Sequence, residues 1–185
     1  AIIRAMVEQL DDSLQGVRDR AILLIGFAGA FRRSELASLT LADVQFTNDG
    51  LVITLRRSKT DQEGEGYLKG IPYGSTLATC PVRALRAWLD ASGITTGSLF
   101  RSVWKGGRRL RPRGLNDRAI AEVVKRAAAA AGYDPARFSG HSLRAGLATS
   151  AGAAGVDERT IMEQTGHKTT TMVRRYIRRG SLFRN

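Results

Sequence analysis

The sequence predicts a mixed fold that is mainly α-helical, with one small antiparallel β-sheet. Apolar residues recur at helical spacing near both ends of the chain. Between these stretches, a β-branched run beside an Asp-Gly turn signal predicts a hairpin. The length of 185 residues fits a single domain, which is large enough to bury a core without a disulfide or a metal.

Three helices are predicted in the first 40 residues. Helical spacing separates the first apolar residues, Ile3, Met6, Val7 and Leu10. An apolar segment at 21–30 continues a second pattern that begins at Val17. The third helix is expected over 31–39, where Arg32 and Glu35 lie three positions apart on one face.

The predicted sheet follows directly. Residues 44–46 and 51–55 are rich in β-branched and apolar side chains, and Asp49 and Gly50 provide a turn between them. A further strand over 67–73 would complete a small antiparallel sheet.

Capping signals predict three further helices after the sheet. Pro81 suits the first position of a helix over 82–91, because a residue there needs no backbone N–H. Asn116 and Asp157 are good N-caps, and they predict a helix over 117–131 and a short helix after residue 157.

Charge and composition narrow the function. The formal net charge is +12, which favours a polyanionic partner, and nucleic acid is the commonest such partner. No apolar run approaches the roughly 20 residues that a membrane span needs, so we expect a cytoplasmic, nucleoid-associated protein. Cys80 is the single cysteine, so an internal disulfide is impossible, and a metal site is not expected.

A basic segment lies at 101–113. It carries six positive charges and no negative one: Arg101, Lys105, Arg108, Arg109, Arg111 and Arg113. Gly106 and Gly107 favour a flexible loop, and Trp104 could cover a sugar or a base. The segment is therefore predicted to contact the DNA backbone, although a solvated loop would have the same composition.

Several residues have the chemistry to act on a phosphate, and each also has a plain structural explanation. Arg32 and Glu35 could form an ordinary ion pair within a helix. Lys59 could be a surface lysine in a turn, and His141 with Arg144 is a spacing that chance often produces. Tyr176 lies among arginines, where its ring could simply pack while the arginines bind.

Joint order and spacing favour the functional interpretation. The chain contains, in this order, Arg32, Glu35, Lys59, His141, Arg144, the pair Gly166-His167, and Tyr176 nine positions after His167. This constellation resembles the tyrosine recombinase family, also called the phage integrase family. The resemblance spans residues 21–179. It implies the catalytic-domain fold of that family, with 1–185 as a single catalytic domain and the usual N-terminal core-binding domain absent from this chain.

The resemblance also implies a role for each residue. Arg32 and Arg144 would bind the oxygens of the scissile phosphate, and Glu35 would hold Arg32 in place. Tyr176 would attack phosphorus and form a 3′-phosphotyrosyl bond, which conserves the bond energy, so no cofactor is expected. Lys59 would protonate the leaving 5′-oxygen.

The remaining roles concern the histidines and the partners. His141 would help to deprotonate Tyr176, and His167 would hydrogen-bond the phosphate. Arg174 and Arg175, beside the tyrosine, are expected to contact DNA. The implied partner is double-stranded DNA, with a homotetramer on paired sites for the full-length protein, whereas the isolated domain could be a monomer.

Two alternatives remain open from the sequence. A type IB topoisomerase resembles the same catalytic set but acts alone on one duplex, and the Arg32-x-x-Glu35-Leu36 motif with the spacing to Tyr176 favours the recombinase. A non-catalytic DNA-binding module could keep the fold, although every catalytic position here holds a competent residue type.

Overall fold

Eight α-helices and two small antiparallel sheets make up the part of the chain that the structure describes, residues 2–56, 66–167 and 169–181 of a computed structural model. The predicted mixed, mainly helical fold class is confirmed. None of the helices in these ranges is long and apolar enough to cross a membrane.

The three helices predicted at the start are present as α1 (Ile2–Glu8), α2 (Leu14–Ala28) and α3 (Arg33–Ser38). Helix α3 begins two residues later than predicted. Arg32 has extended backbone angles, φ −72° and ψ 151°, and so precedes the helix as its N-cap. Its side chain is therefore presented from a turn between α2 and α3.

The predicted sheet is confirmed as β1 (Val44–Phe46), β2 (Gly50–Leu55) and β3 (Tyr67–Pro72), with β2 in the centre. Ile53 of β2 lies opposite Lys69 of β3, and Leu51 lies opposite Ile71. Lys69 and Ile71 are two residues apart, so both face the protein interior and both are buried.

The three helices that the capping signals predict are confirmed. Helix α4 (Pro81–Ser92) has proline at its first position, and α5 (Asp117–Ala130) begins after Asn116, whose side chain accepts a hydrogen bond from the Ala119 amide at 2.8 Å. Helix α7 (Glu158–Thr165) begins after Asp157, which accepts from the Thr160 amide at 2.9 Å.

Two further helices were not predicted by capping signals, α6 (Ser142–Ala154) and α8 (Thr170–Ser181). Helix α6 follows His141, whose side chain makes no capping hydrogen bond. Its interior contains glycine, serine and threonine, which are poor helix formers, so tertiary packing stabilises this helix more than local propensity does.

The prediction of a flexible loop at 101–113 is wrong. Residues there form an antiparallel hairpin from β4 (Arg101–Val103) and β5 (Leu110–Gly114). Gly106 and Gly107 have φ of 102° and 74°, so they make the tight turn of the hairpin. The guanidinium of Arg111 lies 4.1 Å from the centre of the Trp104 ring, and the ring thus supports the arginine within the hairpin.

The core has two parts. The larger part surrounds α2 and includes the fully buried side chains of Phe31, Trp88 and Phe100. The smaller part consists of Ala148, Ile161 and Val173, one from each of α6, α7 and α8, with the Tyr176 ring packed against it. The segment that carries His167 and Tyr176 therefore rests on its own small apolar cluster.

A buried charge network links α2, α5 and the β4–β5 hairpin. Arg18 donates two hydrogen bonds to Asp19, at 2.9 and 2.8 Å, and a third to the backbone carbonyl of Arg101 at 3.1 Å. Arg126 of α5 reaches the other Asp19 oxygen at 2.6 Å. Because Arg18 and Asp19 are both nearly inaccessible to water, each depends on the other for its charge balance.

We expect Asp19→Asn to lower the free energy of unfolding by about 3 kcal/mol or more, because it leaves the buried Arg18 charge unpaired. Arg126→Gln is the matched control: its guanidinium is half exposed, so the loss is expected to be under about 1 kcal/mol. Urea unfolding of both variants measures the difference. Equal, small losses would show that the network does not stabilise the fold.

Candidate active site

A basic cleft of about 880 Å³ lies where α3, β3, α6 and α7 meet. Six basic side chains of the described residues line it, and two of them, Arg159 and Arg174, pair with carboxylates of α7. The other four come from different parts of the chain: Arg32, Lys69, Arg144 and His167. Arg32, Arg144 and His167 were predicted site residues, so the fold brings them together. Lys69 was not predicted.

Arg32 is fixed by the carboxylate of Glu35. One oxygen of Glu35 accepts a hydrogen bond from the Arg32 backbone amide at 2.7 Å, and the other accepts from the guanidinium Nη1 at 3.1 Å. The Glu35 side chain is 9% exposed and that of Arg32 is 36% exposed. The carboxylate therefore anchors Arg32 from the protein side, while the guanidinium reaches the cleft.

Arg144 is buried in the first turn of α6, and its Nη1 donates to the carbonyl of Ala30 at 3.3 Å. Burial is the main cause that lowers the pKa of Arg144. The positive charge of Arg32 lowers this pKa further, and the negative charge of Glu35 raises it. A guanidinium keeps its proton at neutral pH all the same. The two positive charges therefore repel each other, and an anion bound between them would relieve that repulsion.

Lys69 is a site residue that the sequence analysis missed. Its ammonium donates to the carbonyls of Gly29 at 2.5 Å and Gln164 at 2.8 Å, and it lies 4.9 Å from the centre of the Phe31 ring. A signal was available: Lys69 alternates with Ile71 in a predicted strand, so one inward-facing position holds a lysine. A buried ammonium needs hydrogen-bond partners, so an inward-facing lysine in a strand indicates a candidate site residue.

Three successive carbonyls at the C-terminus of α2 each accept a hydrogen bond from a different element. The pairs are Ala28 with Gln164 Nε2 at 2.8 Å, Gly29 with Lys69 Nζ, and Ala30 with Arg144 Nη1. Helix C-termini lack backbone partners for their last carbonyls, so these side chains satisfy groups that would otherwise be orphaned. The contacts fix α6, α7 and β3 to the segment that leads into Arg32.

His167 follows Gly166, whose φ of 68° ends α7 in a left-handed turn. Its Nδ1 atom lies 2.7 Å from the hydroxyl oxygen of Thr165. Burial, and then the positive charges of Arg144, Arg32 and Lys69, lower the pKa of His167 to about 4. With a pKa this low, the imidazole is neutral at pH 7.

Tyr176 lies beside the cleft without lining it. The centre of its half-buried ring is 6.2 Å from that of His167, at an interplanar angle of 44°. Its other side borders a neighbouring groove of about 410 Å³, which α1 and α6 also line. The tyrosine thus lies between the two cavities and next to the histidine.

The predicted site residue His141 is not brought into the cleft. His141 is exposed at the N-terminus of α6 and is not among the cleft-lining residues. Lys59 lies outside the described residues.

The predicted DNA-contacting residues differ in their surroundings. Five basic side chains of the hairpin are exposed: Lys105, Arg108, Arg109, Arg111 and Arg113. The side chain of Arg175 in α8 is also exposed. Arg101 instead donates to the backbone carbonyls of Ser98 and Thr96, in the loop that precedes β4. Arg174 lines the cleft and pairs with Glu158 at 3.1 Å.

A pH-dependent stability is expected from Lys69. Burial, with Arg144 and Arg32, lowers its pKa from 10.5 to about 8, against an opposing effect of Glu35. Between these two values the unfolded chain holds a proton that the folded chain has lost. The stability contribution of this group therefore rises with pH in that interval, by up to about 1.4 kcal/mol per pH unit.

Urea unfolding near pH 7 and near pH 9 tests this expectation. Wild type should gain stability relative to Lys69→Met between the two conditions. Lys125→Met is the control, because Lys125 is a surface residue paired with Glu122, and its difference from wild type should not change with pH in this way. If Lys69→Met and wild type keep a constant difference, the ammonium is not disfavoured by its surroundings.

Comparison with known proteins identifies relatives over nearly the whole chain. The model of the phage integrase family matches residues 2–181. An integrase/recombinase xerD homolog of Selenomonas ruminantium is 45% identical over 175 residues, which are 95% of this chain and 51% of that protein. The recombinase cre of Escherichia phage P1 is 29% identical, over 95% of this chain and 53% of that protein. The chain thus spans about half the length of these curated relatives.

Solved structures agree in fold. The crystal structure of XerA recombinase has a TM-score of 0.72 at 23% identity, over 95% of this chain and 56% of the other. A lambda integrase fragment, solved as a dimer bound to a COC′ core site, has a TM-score of 0.63 at 21% identity, over 98% and 58%. The family match, the xerD homolog and the shared fold agree, and the chain belongs to the phage integrase family.

Proposed function

We propose that this chain is the catalytic domain of a site-specific recombinase that cleaves and rejoins double-stranded DNA through a 3′-phosphotyrosyl intermediate. The observation that carries the proposal is the pair Arg32 and Arg144 in one basic cleft, with Tyr176 beside it. The relatives are recombinases and integrases, which favours this reaction over the relaxation of a single duplex by a topoisomerase.

The arginines stabilise the reacting phosphate. Each guanidinium presents a planar fork of N–H donors that matches two phosphate oxygens. As Tyr176 attacks phosphorus, negative charge grows on the non-bridging oxygens, and Arg32 and Arg144 neutralise it in place. Glu35 keeps Arg32 oriented through the transition state, because it holds both the backbone amide and the guanidinium.

Protons must also move during cleavage. The tyrosine loses one, and the departing 5′-oxygen gains one, because an alkoxide is a poor leaving group. We assign the second transfer to Lys59, in the position where the family carries a hairpin lysine. The bond to Tyr176 keeps the phosphodiester energy, so a second 5′-hydroxyl can reverse the step and complete strand exchange without ATP.

The DNA contacts are assigned to the exposed basic side chains of the β4–β5 hairpin and of α8. Their positive charge would displace counterions from the phosphate backbone and give binding without sequence information. Lambda integrase in the DNA complex is a dimer on its core site. For the full-length form of the present protein we propose a homotetramer on two paired sites, since strand exchange joins four DNA strands.

Covalent trapping tests the proposed reaction. We expect the chain to become attached to nicked duplexes with a randomised core, in which cleavage releases a short 5′-hydroxyl fragment and prevents rejoining. Tyr176→Phe should abolish this adduct, and Tyr73→Phe, a change at an exposed tyrosine, should not. EDTA should leave the yield unchanged, because the arginines neutralise the phosphate. An adduct that survives in Tyr176→Phe would show that the nucleophile is another residue.

Sulfur substitution at the leaving oxygen tests Lys59. A thiolate leaves without a proton, because thiol pKa values lie near 8.5 and those of alcohols lie far higher. Lys59→Ala should therefore cleave ordinary DNA poorly and sulfur-bridged DNA nearly as well as wild type. Arg144→Ala should stay impaired on both, by roughly a hundredfold or more, since the non-bridging oxygens still gain charge. If sulfur rescues a different variant and not Lys59→Ala, the acid is that other residue.

A further inference from the structure

We propose that Lys69 is a third cation of the phosphate site, held by two backbone carbonyls and acting through its charge on a phosphate bound by Arg32 and Arg144. The proposal rests on the proposed function, because it concerns how the cleft stabilises the reacting phosphate. Protonation of the departing 5′-oxygen stays with Lys59. The basis of the proposal is a buried ammonium in the cleft whose hydrogen-bond partners are neutral.

The ammonium of Lys69 is held from two sides. It donates to the carbonyl oxygen of Gly29 at 2.5 Å and to that of Gln164 at 2.8 Å. Gly29 lies three positions before Arg32, and Gln164 lies three positions before His167. One nitrogen therefore joins the segments that lead into two of the cleft-lining residues, and its own position in the cleft is fixed by both.

The surroundings of the ammonium leave its charge in place. The centres of the Phe31 and Tyr67 rings lie 4.9 and 5.9 Å from Nζ, and the faces of such rings favour a cation without neutralising it. No carboxylate among the described residues forms an ion pair with Lys69. Glu35, whose negative charge favours the ammonium, is itself bonded to Arg32. The positive charge of Lys69 is therefore available to an anion in the cleft.

Fold stability does not explain a cation at this position. The Lys69 side chain is 3% exposed, and that of Ile71, on the same face of β3, is 1% exposed. Removing a charge from water is unfavourable, whereas an apolar side chain would fill an inward-facing position of the strand without that cost. A neutral amide could satisfy carbonyl oxygens as well. The charge is the feature that folding does not require, and an anionic ligand gives it a role.

The groups that face Lys69 make its protonation depend on that ligand. They come from several elements: Arg32 and Glu35 at α3, Tyr67 in β3, Arg144 in α6 and His167 after α7. Burial, and then the charges of Arg144 and Arg32, lower the pKa of Lys69 to about 8, against the opposing charge of Glu35. A phosphate bound by the arginines adds a negative charge, which raises this pKa. Above pH 8 the protein should therefore take up a proton as it binds DNA.

An NMR titration of the lysine side chains tests the charge without any cleavage. Tyr176→Phe, which cannot form the adduct, is titrated from about pH 7 to about pH 10, alone and with a saturating amount of the nicked duplex. The ε-methylene signal that disappears in Lys69→Arg belongs to Lys69. We expect its pKa to be about 8 in the free protein and to rise by about one unit or more with the duplex.

Lys125 is the control in the same spectra, because it lies on the surface and pairs with Glu122. Its pKa should rise by less than that of Lys69 when the duplex binds, since an exposed charge is screened by solvent and salt. An unchanged pKa of Lys69 in the DNA complex would overturn the proposal. An equal rise for both lysines would do the same, because it would show a general effect of DNA and no phosphate near Lys69.

A duplex with a neutral phosphate tests whether the charge acts on the reaction. Lys69→Met removes the charge, so release of the 5′-hydroxyl fragment should slow by about ten- to a hundredfold, and Lys69→Arg, which keeps a cation, should lose less. Lys125→Met should cleave as wild type does. In the second duplex a methyl group replaces one non-bridging oxygen of the scissile phosphate. The loss in Lys69→Met should be smaller there, by about threefold or more, because less negative charge needs stabilisation.

A role limited to folding would give Lys69→Met the same loss on both duplexes. That result, or a normal rate for Lys69→Met on the ordinary duplex, contradicts the proposal. If Lys69→Met does not fold, the titration of Tyr176→Phe still decides, because that variant keeps Lys69. If wild type forms no adduct at all, the proposed function fails, while the titration still shows whether bound DNA changes the charge of Lys69. The two failures are therefore distinguishable.

Discussion

The geometry of the cleft depends on the hydrogen bonds that the carbonyls at the C-terminus of α2 accept. The carbonyls of Ala28, Gly29 and Ala30 accept hydrogen bonds from side chains of α7, β3 and α6, none of which is near α2 in sequence. The negative end of the helix dipole favours cations there, and two of the three donors are cationic. Arg32 follows Ala30 by two residues. The same contacts that satisfy the helix end therefore set the positions of Arg32, Arg144 and the turn before His167 relative to one another.

The hydrogen-bond partners of Lys69 and Arg144 are carbonyl oxygens, and this affects the net charge of the cleft. Lys69 and Arg144 donate to neutral oxygens, so their N–H groups are satisfied while their charges are not cancelled. Glu35 is the carboxylate in direct contact with the Arg32 guanidinium. The cleft thus keeps a net positive field inside a partly water-excluded space, where charges interact more strongly than at the surface. In the proposed reaction, a fixed arrangement of this kind would stabilise the developing phosphorane without having to reorganise.

Short sequence patterns predicted most of the helices and strands. They did not predict which residues, distant in sequence, meet in the cleft. Asn116 and Asp157 act through hydrogen bonds to residues three positions away, and the Asp-Gly turn acts within its own hairpin, so short patterns suffice for them. The β4–β5 hairpin was missed because its strands are dominated by arginine, and strand signals rest on apolar alternation. Lys69 was missed because its partners are 40 and 95 residues away. Order and spacing identified Arg32, Arg144 and His167 only through the resemblance to a family, and spacing alone does not show that His141 stays outside the cleft.

Four consecutive residues at the end of α7 and just after it, Gln164 to His167, hold neighbouring elements together or line the cleft. Gln164 joins Lys69 through its carbonyl and Ala28 through its side chain, and the Thr165 hydroxyl oxygen lies 2.7 Å from Nδ1 of His167. Gly166 then reverses the chain with a left-handed φ of 68°, and a Cβ at this position would meet no atom within 4 Å. Conformation, and not space, therefore requires glycine there. Since His167 lies directly after this turn, its position is set by the same helix end that joins β3 to α2.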